Sequence, residues 1–154
     1  MRKHNDIVCR TMDYEDCVCE TIYHADRIKA LDLFELIFER YPKPAAWLLT
    51  LRDHLVKPFG LKTGSRFRSM ILEEDDAHVL LGQEDKHLDF YVLLECSYPF
   101  GSWQDVRVRT LVRYHNLLGK VYFCGIRVFH VILVQALSKR AVRIWMRGHA
   151  KRQW

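Results

Sequence analysis

Two neighbouring segments of alternating apolar and polar residues constrain the fold of this chain more than any other feature. Apolar side chains occupy every second position of Lys86–Ser97 and of Gln104–Tyr114. Because side chains alternate across a strand, each segment predicts a β-strand with one buried face. Pro99 and Gly101 mark a loop between the segments, so we expect the two strands to form an antiparallel hairpin.

The same pattern limits the pairing register of this hairpin. An odd register would place apolar side chains opposite polar ones, so only even registers remain. If paired positions sum to 202, Asp89 faces Arg113 and Glu95 faces Arg107, whereas a sum of 198 places Asp89 opposite Arg109. Cross-strand pairs of opposite charge contribute about 0.2–1 kcal/mol each, so they leave both even registers open.

The other segments supply further strands and helices. Apolar residues at helical spacing predict three helices, at Lys29–Arg40, from Pro44 to Leu55, and from the N-cap Asn116 to about Arg147. Shorter apolar runs predict three more strands, at residues 16–23, Phe67–Leu72 and His78–Leu81.

This order of elements predicts an α+β fold. One strand is followed by two helices, a run of antiparallel strands and a long C-terminal helix, which is the order of a helix-grip fold. We therefore expect a curved antiparallel sheet packed around the C-terminal helix, with a pocket between them. We expect residues 1–154 to form a single domain, with an N-terminal arm at 1–13, a core at 14–147 and a basic tail at 148–154.

Charge and composition limit the class of protein. The net charge of +5 combines −6 for residues 1–105 with +11 for residues 106–154, which contain no acidic residue. The hydrophobic fraction of 49% is typical of a globular domain rather than a membrane protein. Val128–Leu137 is about half as long as a membrane span and His130 interrupts it, so we expect a buried helix. The five cysteines form no disulfide framework and no signal peptide is evident, so we expect a cytoplasmic protein.

Five stretches of the chain resemble sequences of a known family. Leu81–Phe90 and His115–Tyr122 are the specific ones, and Leu51–Asp53, Phe59–Lys62 and Phe129-His130 are less specific. Together they resemble a bacterial family of uncharacterised proteins, the domain of unknown function 2867, over Tyr14–Leu137. Relatives have proline where this chain has Val128, so we expect a straighter helix here. The resemblance implies a helix-grip (START-like) superfamily fold, whose members mostly bind apolar ligands and in some cases catalyse cyclisation or hydrolysis.

His87, Asp89 and His115 are the candidate catalytic residues. The first two lie two apart on one strand, and His115 ends the neighbouring strand within about 10 Å, given strand spacings of about 4.8 Å. A carboxylate beside a histidine orients a general base, and two histidines with an aspartate could also hold a metal. Ion pairs with the arginines of the same face explain these residues without any function. We predict no metal and no cofactor.

A ligand pocket between the sheet and the C-terminal helix is the favoured prediction. Tyr122 and His130 on the helix would be the polar anchors, since pockets are mainly apolar with a few placed polar groups. Apolar residues of the sheet and helix would form the wall: Phe90, Val92, Val108, Thr110, Val112 and Phe129. Plain core packing is the alternative for all of them. The predicted function is binding of a small, largely apolar ligand, or else a hydrolase or cyclase of the same fold.

The basic end of the chain supports a third alternative. Basic and aromatic residues are interleaved there: Arg140, Arg143, Trp145, Arg147, Lys151, Arg152 and Trp154. Such a segment suits an anionic membrane surface or a nucleic-acid backbone. No known nucleic-acid-binding motif is present, so we expect no nucleic-acid partner. Packing of Trp145 on the domain, with the charges in water, is the simpler explanation.

Overall fold

The computed structural model describes residues 11–23, 25–40 and 67–150 of the chain. Five strands and two α-helices lie within them: β1 (Tyr14–Tyr23), α1 (Ala30–Phe34), β2 (Ile71–Glu74), β3 (His78–Glu84), β4 (Leu88–Cys96), β5 (Trp103–Tyr114) and α2 (Leu117–Gly148). A π-helical turn, Glu35–Glu39, extends α1, and a 3-10 turn, Phe67–Met70, precedes β2. The second predicted helix, Pro44–Leu55, lies outside the described residues.

The strands form one antiparallel sheet in the order β1-β5-β4-β3-β2. With α1 and α2 this is an α+β fold, consistent with a helix-grip-like architecture, so the predicted fold class is confirmed. In the β4–β5 hairpin Asp89 lies opposite Arg113 and Glu95 opposite Arg107, which is the register with a sum of 202. Arg109 donates instead from Nη2 to Glu15 Oε1 of β1 at 2.6 Å.

The prediction of a strand over Phe67–Leu72 is wrong for its first four residues, because Phe67–Met70 forms the 3-10 turn. The Phe67 ring lies 4.9 Å from that of Phe38, and Arg68 Nη1 lies 3.3 Å from Glu39 Oε1. These side chains pack on the π-helical turn that extends α1. The backbone therefore joins the sheet only at Ile71.

The main core lies on the face of the sheet that carries both helices, which we call the front face. The even-numbered side chains of β4 and β5 point into it and meet α1 and α2. Its buried members include Ile22, Leu33, Phe34, Ile37, Val92, Leu94, Val108, Leu137, Ala141 and Val142. A second, smaller buried cluster lies on the opposite or back face and comprises Leu80, Tyr91, Leu93 and Leu111.

Gln104, buried at the start of β5, ties the segment between β1 and α1 to the sheet. Its Oε1 accepts a hydrogen bond from the Ile28 N–H at 2.9 Å, and its Nε2 donates to the Ile28 carbonyl at 2.9 Å and to that of Ser97 at 2.7 Å. Because buried backbone groups need partners, the Gln104 side-chain amide supplies the hydrogen bonds that a neighbouring strand would otherwise give to Ile28. It thereby holds α1 over the front face.

The helix α2 contacts the sheet unevenly along its length. Its C-terminal half, residues 133–148, buries Leu137, Ser138, Ala141 and Val142, whereas its N-terminal half, residues 117–132, buries Gly119 and Phe123. The helix continues without a break through Val128, in agreement with the straight helix predicted there.

The prediction that Val128–Leu137 is a buried helix is wrong for most of this segment, in which only Leu137 is buried. Val128, Phe129 and Ile132 are each about 60% exposed, because one side of the helix meets the sheet and these residues lie on the other. By length and composition α2 could cross a membrane, and 11% of its apolar 18-residue window is buried. The core helices of soluble proteins can have the same length and composition, but they are mostly buried, whereas this window of α2 is mostly exposed.

Candidate functional site

The two most specific stretches of the family resemblance meet at one corner of the back face. Asp89 of β4 lies next to His115, the residue after β5, with His115 Nε2 2.8 Å from Asp89 Oδ1. The carboxylate is almost fully buried and the imidazole is about one-third exposed. A buried carboxylate bonded to one ring nitrogen fixes the orientation of the ring and leaves its other nitrogen, Nδ1, for chemistry.

His87 belongs to a different set of contacts at the same corner. Its Nδ1 lies 3.0 Å from Asn116 Nδ2, the side chain that also caps α2 by accepting from the Gly119 N–H at 3.1 Å. The backbone of Gly119 packs against the turn, since a Cβ there would lie 2.8 Å from the carbonyl carbon of His87. These contacts attach the start of α2 to the β3–β4 turn.

Asp89 and His115 therefore pair through their side chains, whereas the His87 side chain contacts the helix cap. The backbone joins the two sets of contacts, because the His115 N–H donates to the His87 carbonyl at 2.9 Å. Among the described residues, no group of three or more histidines, cysteines and carboxylates is placed to hold a metal ion. The hydroxyl of Tyr91, which also belongs to the back face, donates to Glu84 Oε1 at 2.6 Å.

A second polar cluster lies on the front face, beneath the N-terminal half of α2. His130 Nε2 lies 3.0 Å from the hydroxyl of Thr110, which is fully buried on β5. The His130 ring stands edge-on to that of Phe90, with centroids 5.5 Å apart, and lies 6.4 Å from that of Phe123. Two of the predicted anchors and wall residues are thus in direct contact.

Asp16, on the edge strand β1, lies opposite Thr110 in the register and on the same face. Its Oδ2 accepts a hydrogen bond from the Tyr14 hydroxyl at 2.8 Å, whereas its Oδ1 is buried and has no partner within the described part of the chain. Burial, together with this bond and the nearby carboxylate charge, raises the pKa of Tyr14 to about 12. The Arg127 guanidinium lies over the Tyr14 ring, 5.7 Å from its centroid.

The remaining predicted wall residues divide into two groups. Val92, Val108 and Val112 are buried within the core clusters, and half-buried Tyr122 packs against the cluster that contains Val112. Phe129 is 63% exposed and lies on the opposite side of α2 from the sheet. It therefore does not line the interface between sheet and helix.

The basic end of α2 is partly engaged with the domain. Trp145 Nε1 donates to the carbonyl of Asp26 at 2.8 Å, and its ring stacks on that of His149 at 3.7 Å. Arg140 Nη1 donates to the carbonyl of Arg40 at 2.7 Å. Arg143 and Arg147 are exposed. Lys151, Arg152 and Trp154 lie outside the described residues.

Tyr14 and Asp16 are the members of the front-face cluster that the sequence analysis missed. Both occupy even positions of β1, in phase with buried Ile22. A polar residue at a position whose pattern predicts burial needs a partner. The alternation in residues 14–22 therefore indicated that Tyr14 and Asp16 point toward the sheet–helix interface.

No curated protein matches the chain at a significant level. A family model, described as a protein of unknown function (DUF2867), matches residues 8–137. The matched range contains the Asp89–His115 pair and the whole front-face cluster of Tyr14, Asp16, Thr110 and His130. Since the match covers most of the chain, this protein belongs to the DUF2867 family.

Proposed function

We propose that the domain binds a small, largely apolar ligand that carries a hydrogen-bond donor, between the sheet and the N-terminal half of α2. The observation that carries this proposal is the buried Oδ1 of Asp16, which has no partner within the described part of the chain. A buried carboxylate oxygen without a donor is costly, and a donor on a ligand would offset that cost.

The surroundings of Asp16 supply the other features that such a ligand requires. Thr110 lies opposite Asp16 across the β1–β5 pair and holds His130 at 3.0 Å, so polar groups of sheet and helix converge there. The rings of Phe90 and Phe123 flank His130 and provide apolar surface. Ligand pockets typically combine an apolar wall with a few placed polar groups.

The same proposal includes the superfamily, the source and the cellular location of the protein. The order of strands and helices supports membership of the helix-grip (START-like) superfamily, and the family resemblance supports a bacterial source. The free thiols of the four cysteines in the described ranges support a cytoplasmic location.

The test uses 1-aminoanthracene, a small apolar probe with one amine donor whose fluorescence rises in apolar sites. We expect the full chain to bind it more tightly than anthracene, which lacks the amine. Asp16→Ala should weaken the binding of 1-aminoanthracene by about tenfold, as expected when a hydrogen bond to a carboxylate is lost. Glu20→Ala, on the same strand and face, is the matched control and should leave the affinity unchanged.

Two outcomes would overturn this proposal. One is equal affinity for the two probes, which would mean that no donor is recognised. The other is equal loss in the Asp16→Ala and Glu20→Ala variants, which would reflect disturbance of the edge strand. A thermal unfolding curve for each variant separates loss of the site from loss of the fold.

General acid–base catalysis by His115 is a second candidate, favoured by its 2.8 Å contact with the buried Asp89 carboxylate. In this arrangement the Nε2–H stays bonded to Asp89, and Nδ1 accepts a proton from an attacking water. Hydrolysis of p-nitrophenyl acetate is the test. We expect His115→Gln to lower the rate by about a hundredfold, and His78→Gln, at the exposed β2–β3 turn, to leave it unchanged. Equal rates in the two variants would exclude this candidate.

A further inference from the structure

We propose that the outer face of α2, the side turned away from the sheet, docks on an anionic membrane surface. Large apolar side chains dominate this face over the N-terminal half of the helix. Their exposed fractions are high: Leu117 74%, Val121 61%, Val128 59%, Phe129 63% and Ile132 60%. This surface is distinct from the ligand site under the helix, so the inference goes beyond the proposed function.

The spacing of these residues makes one continuous stripe. Leu117, Val121, Val128 and Ile132 recur at intervals of four and seven residues, which places them above one another on a helix. The stripe is about 22 Å long at a rise of about 1.5 Å per residue. Phe123, on the opposite side, is buried against the sheet. Isolated exposed apolar residues are common, but a continuous stripe of this length indicates an interaction surface.

Charge decides between a membrane and a second copy of the chain as the partner. The helix carries six basic residues and no acidic one: Lys120, Arg127, Lys139, Arg140, Arg143 and Arg147. Two such helices side by side would repel each other, whereas the headgroups of anionic lipids would attract both. The charge of the helix therefore favours an anionic surface.

The arrangement along the outer face suits a helix lying on a bilayer. The apolar stripe ends at Ile132, and the same face continues with Lys139 and Arg143, seven and eleven residues further on. Peripheral helices bury apolar side chains at the boundary between headgroups and acyl chains while their Lys and Arg side chains contact the headgroups. This surface differs from the predicted aromatic tail, in which the Trp145 indole is bonded to the Asp26 carbonyl.

Surface docking leaves the folded domain intact. Phe123, Leu137 and Ala141 hold α2 on the sheet, and a helix that crossed the bilayer would have to leave this core. Docking through the outer face requires no such rearrangement. It uses the exposed side of the helix and keeps the buried side in place.

Co-sedimentation of the full chain with vesicles tests the proposal. The vesicles contain phosphatidylcholine alone, or phosphatidylcholine mixed with phosphatidylserine, each at low and at high salt. We expect binding to the mixed vesicles at low salt and weaker binding to the other preparations. Phe129→Ser should lower the partition coefficient by about tenfold, because one large apolar side chain is lost from the interface.

The matched control is Phe100→Ser, which removes a phenylalanine of similar exposure (73% against 63% for Phe129) from the loop between β4 and β5, away from α2. It should bind like the unaltered chain, and so should Asp16→Ala, which affects the ligand site alone. Binding that does not depend on phosphatidylserine, or equal loss in the two phenylalanine variants, would overturn the proposal. A lipid-free dimer that Phe129→Ser dissociates, detected by light scattering, would identify a second copy as the partner instead.

Discussion

The two halves of α2 differ in what they contact, although one unbroken helix contains both. The C-terminal half buries Leu137, Ala141 and Val142 in the main core and is tied to the β1–α1 segment through Trp145. The N-terminal half buries one large side chain, Phe123, and exposes an apolar stripe. The C-terminal half of the helix therefore stabilises the fold. The N-terminal half covers a cluster of polar side chains and exposes apolar side chains to solvent.

This difference explains why the front-face cluster and the apolar stripe both lie at the N-terminal half of α2. The inward side chains of the C-terminal half are mainly apolar and pack in the main core. Under the N-terminal half, polar groups such as Asp16, Thr110 and His130 take the place of core residues, and the outer face is apolar. Polar groups in a core position and apolar groups in a solvent position both lower stability, so function is the simplest reason for both.

Truncation of one side chain in each half of α2 should give the largest difference in stability. Leu137→Ala removes a buried side chain from the core and should lower the free energy of unfolding by about 2–5 kcal/mol. Ile132→Ala, about one turn earlier but on the exposed face, should change it by at most about 0.5 kcal/mol. Urea unfolding followed by circular dichroism measures both. Similar losses would show that the two halves contribute alike.

Replacement of two glycines of the N-terminal half by alanine should change the stability by smaller amounts and in opposite directions. A Cβ at Gly119 would press on the carbonyl group of His87, so Gly119→Ala should destabilise the domain by about 1–3 kcal/mol. A Cβ at Gly125 has no neighbour within 4 Å, so Gly125→Ala should stabilise it by up to about 1 kcal/mol through helix propensity. Thermal unfolding of both variants measures the difference. The same sign in both would mean that α2 is not attached at the β3–β4 turn.

The smallest expected effect concerns the pH dependence of stability and compares two cysteines. Cys96 is buried in the main core, and Cys124 is exposed on the N-terminal half of α2. Burial raises the pKa of the Cys96 thiol from 9.0 to about 12. The folded chain therefore keeps a proton that the unfolded chain loses near pH 9. The contribution of Cys96 to stability is fully present below that pH and is lost as the pH rises toward about 12.

Comparison of Cys96→Ala with Cys124→Ala isolates this contribution. The free energy of unfolding of the unaltered chain and of Cys124→Ala should fall with pH above about 9, and that of Cys96→Ala should fall less. Denaturant titrations at several alkaline pH values measure the slopes. Parallel slopes in the two variants would contradict the expected burial of the Cys96 thiol.

Much of the fold follows from local patterns. The alternation in β4 and β5 predicted both faces of the hairpin and an even register, and Asn116 predicted the start of α2. Phe67–Met70 was predicted as strand because its pattern is too short to distinguish a strand from a turn. Its contacts with Phe38 and Glu39, about thirty residues away, determine its conformation.

The candidate sites were predictable only in part. The sequence indicated the neighbourhood of Asp89 and His115, because both lie at the ends of adjacent strands. It did not separate His87 from them, since that depends on the cap formed by Asn116. Asp16 was missed because its partner strand, β5, is distant in the chain, and Phe129 was placed on the wrong side of the helix.

The sequence by itself determined the fold class, the two faces of the hairpin and the uneven charge, because these depend on periodicity and composition. Only the tertiary structure decided which even register forms, which side of α2 meets the sheet and which polar side chains converge beneath it. The physical reason is that alternation and helical spacing are properties of neighbouring residues. Pairing and burial depend instead on contacts between residues as far apart as Asp16 and Thr110.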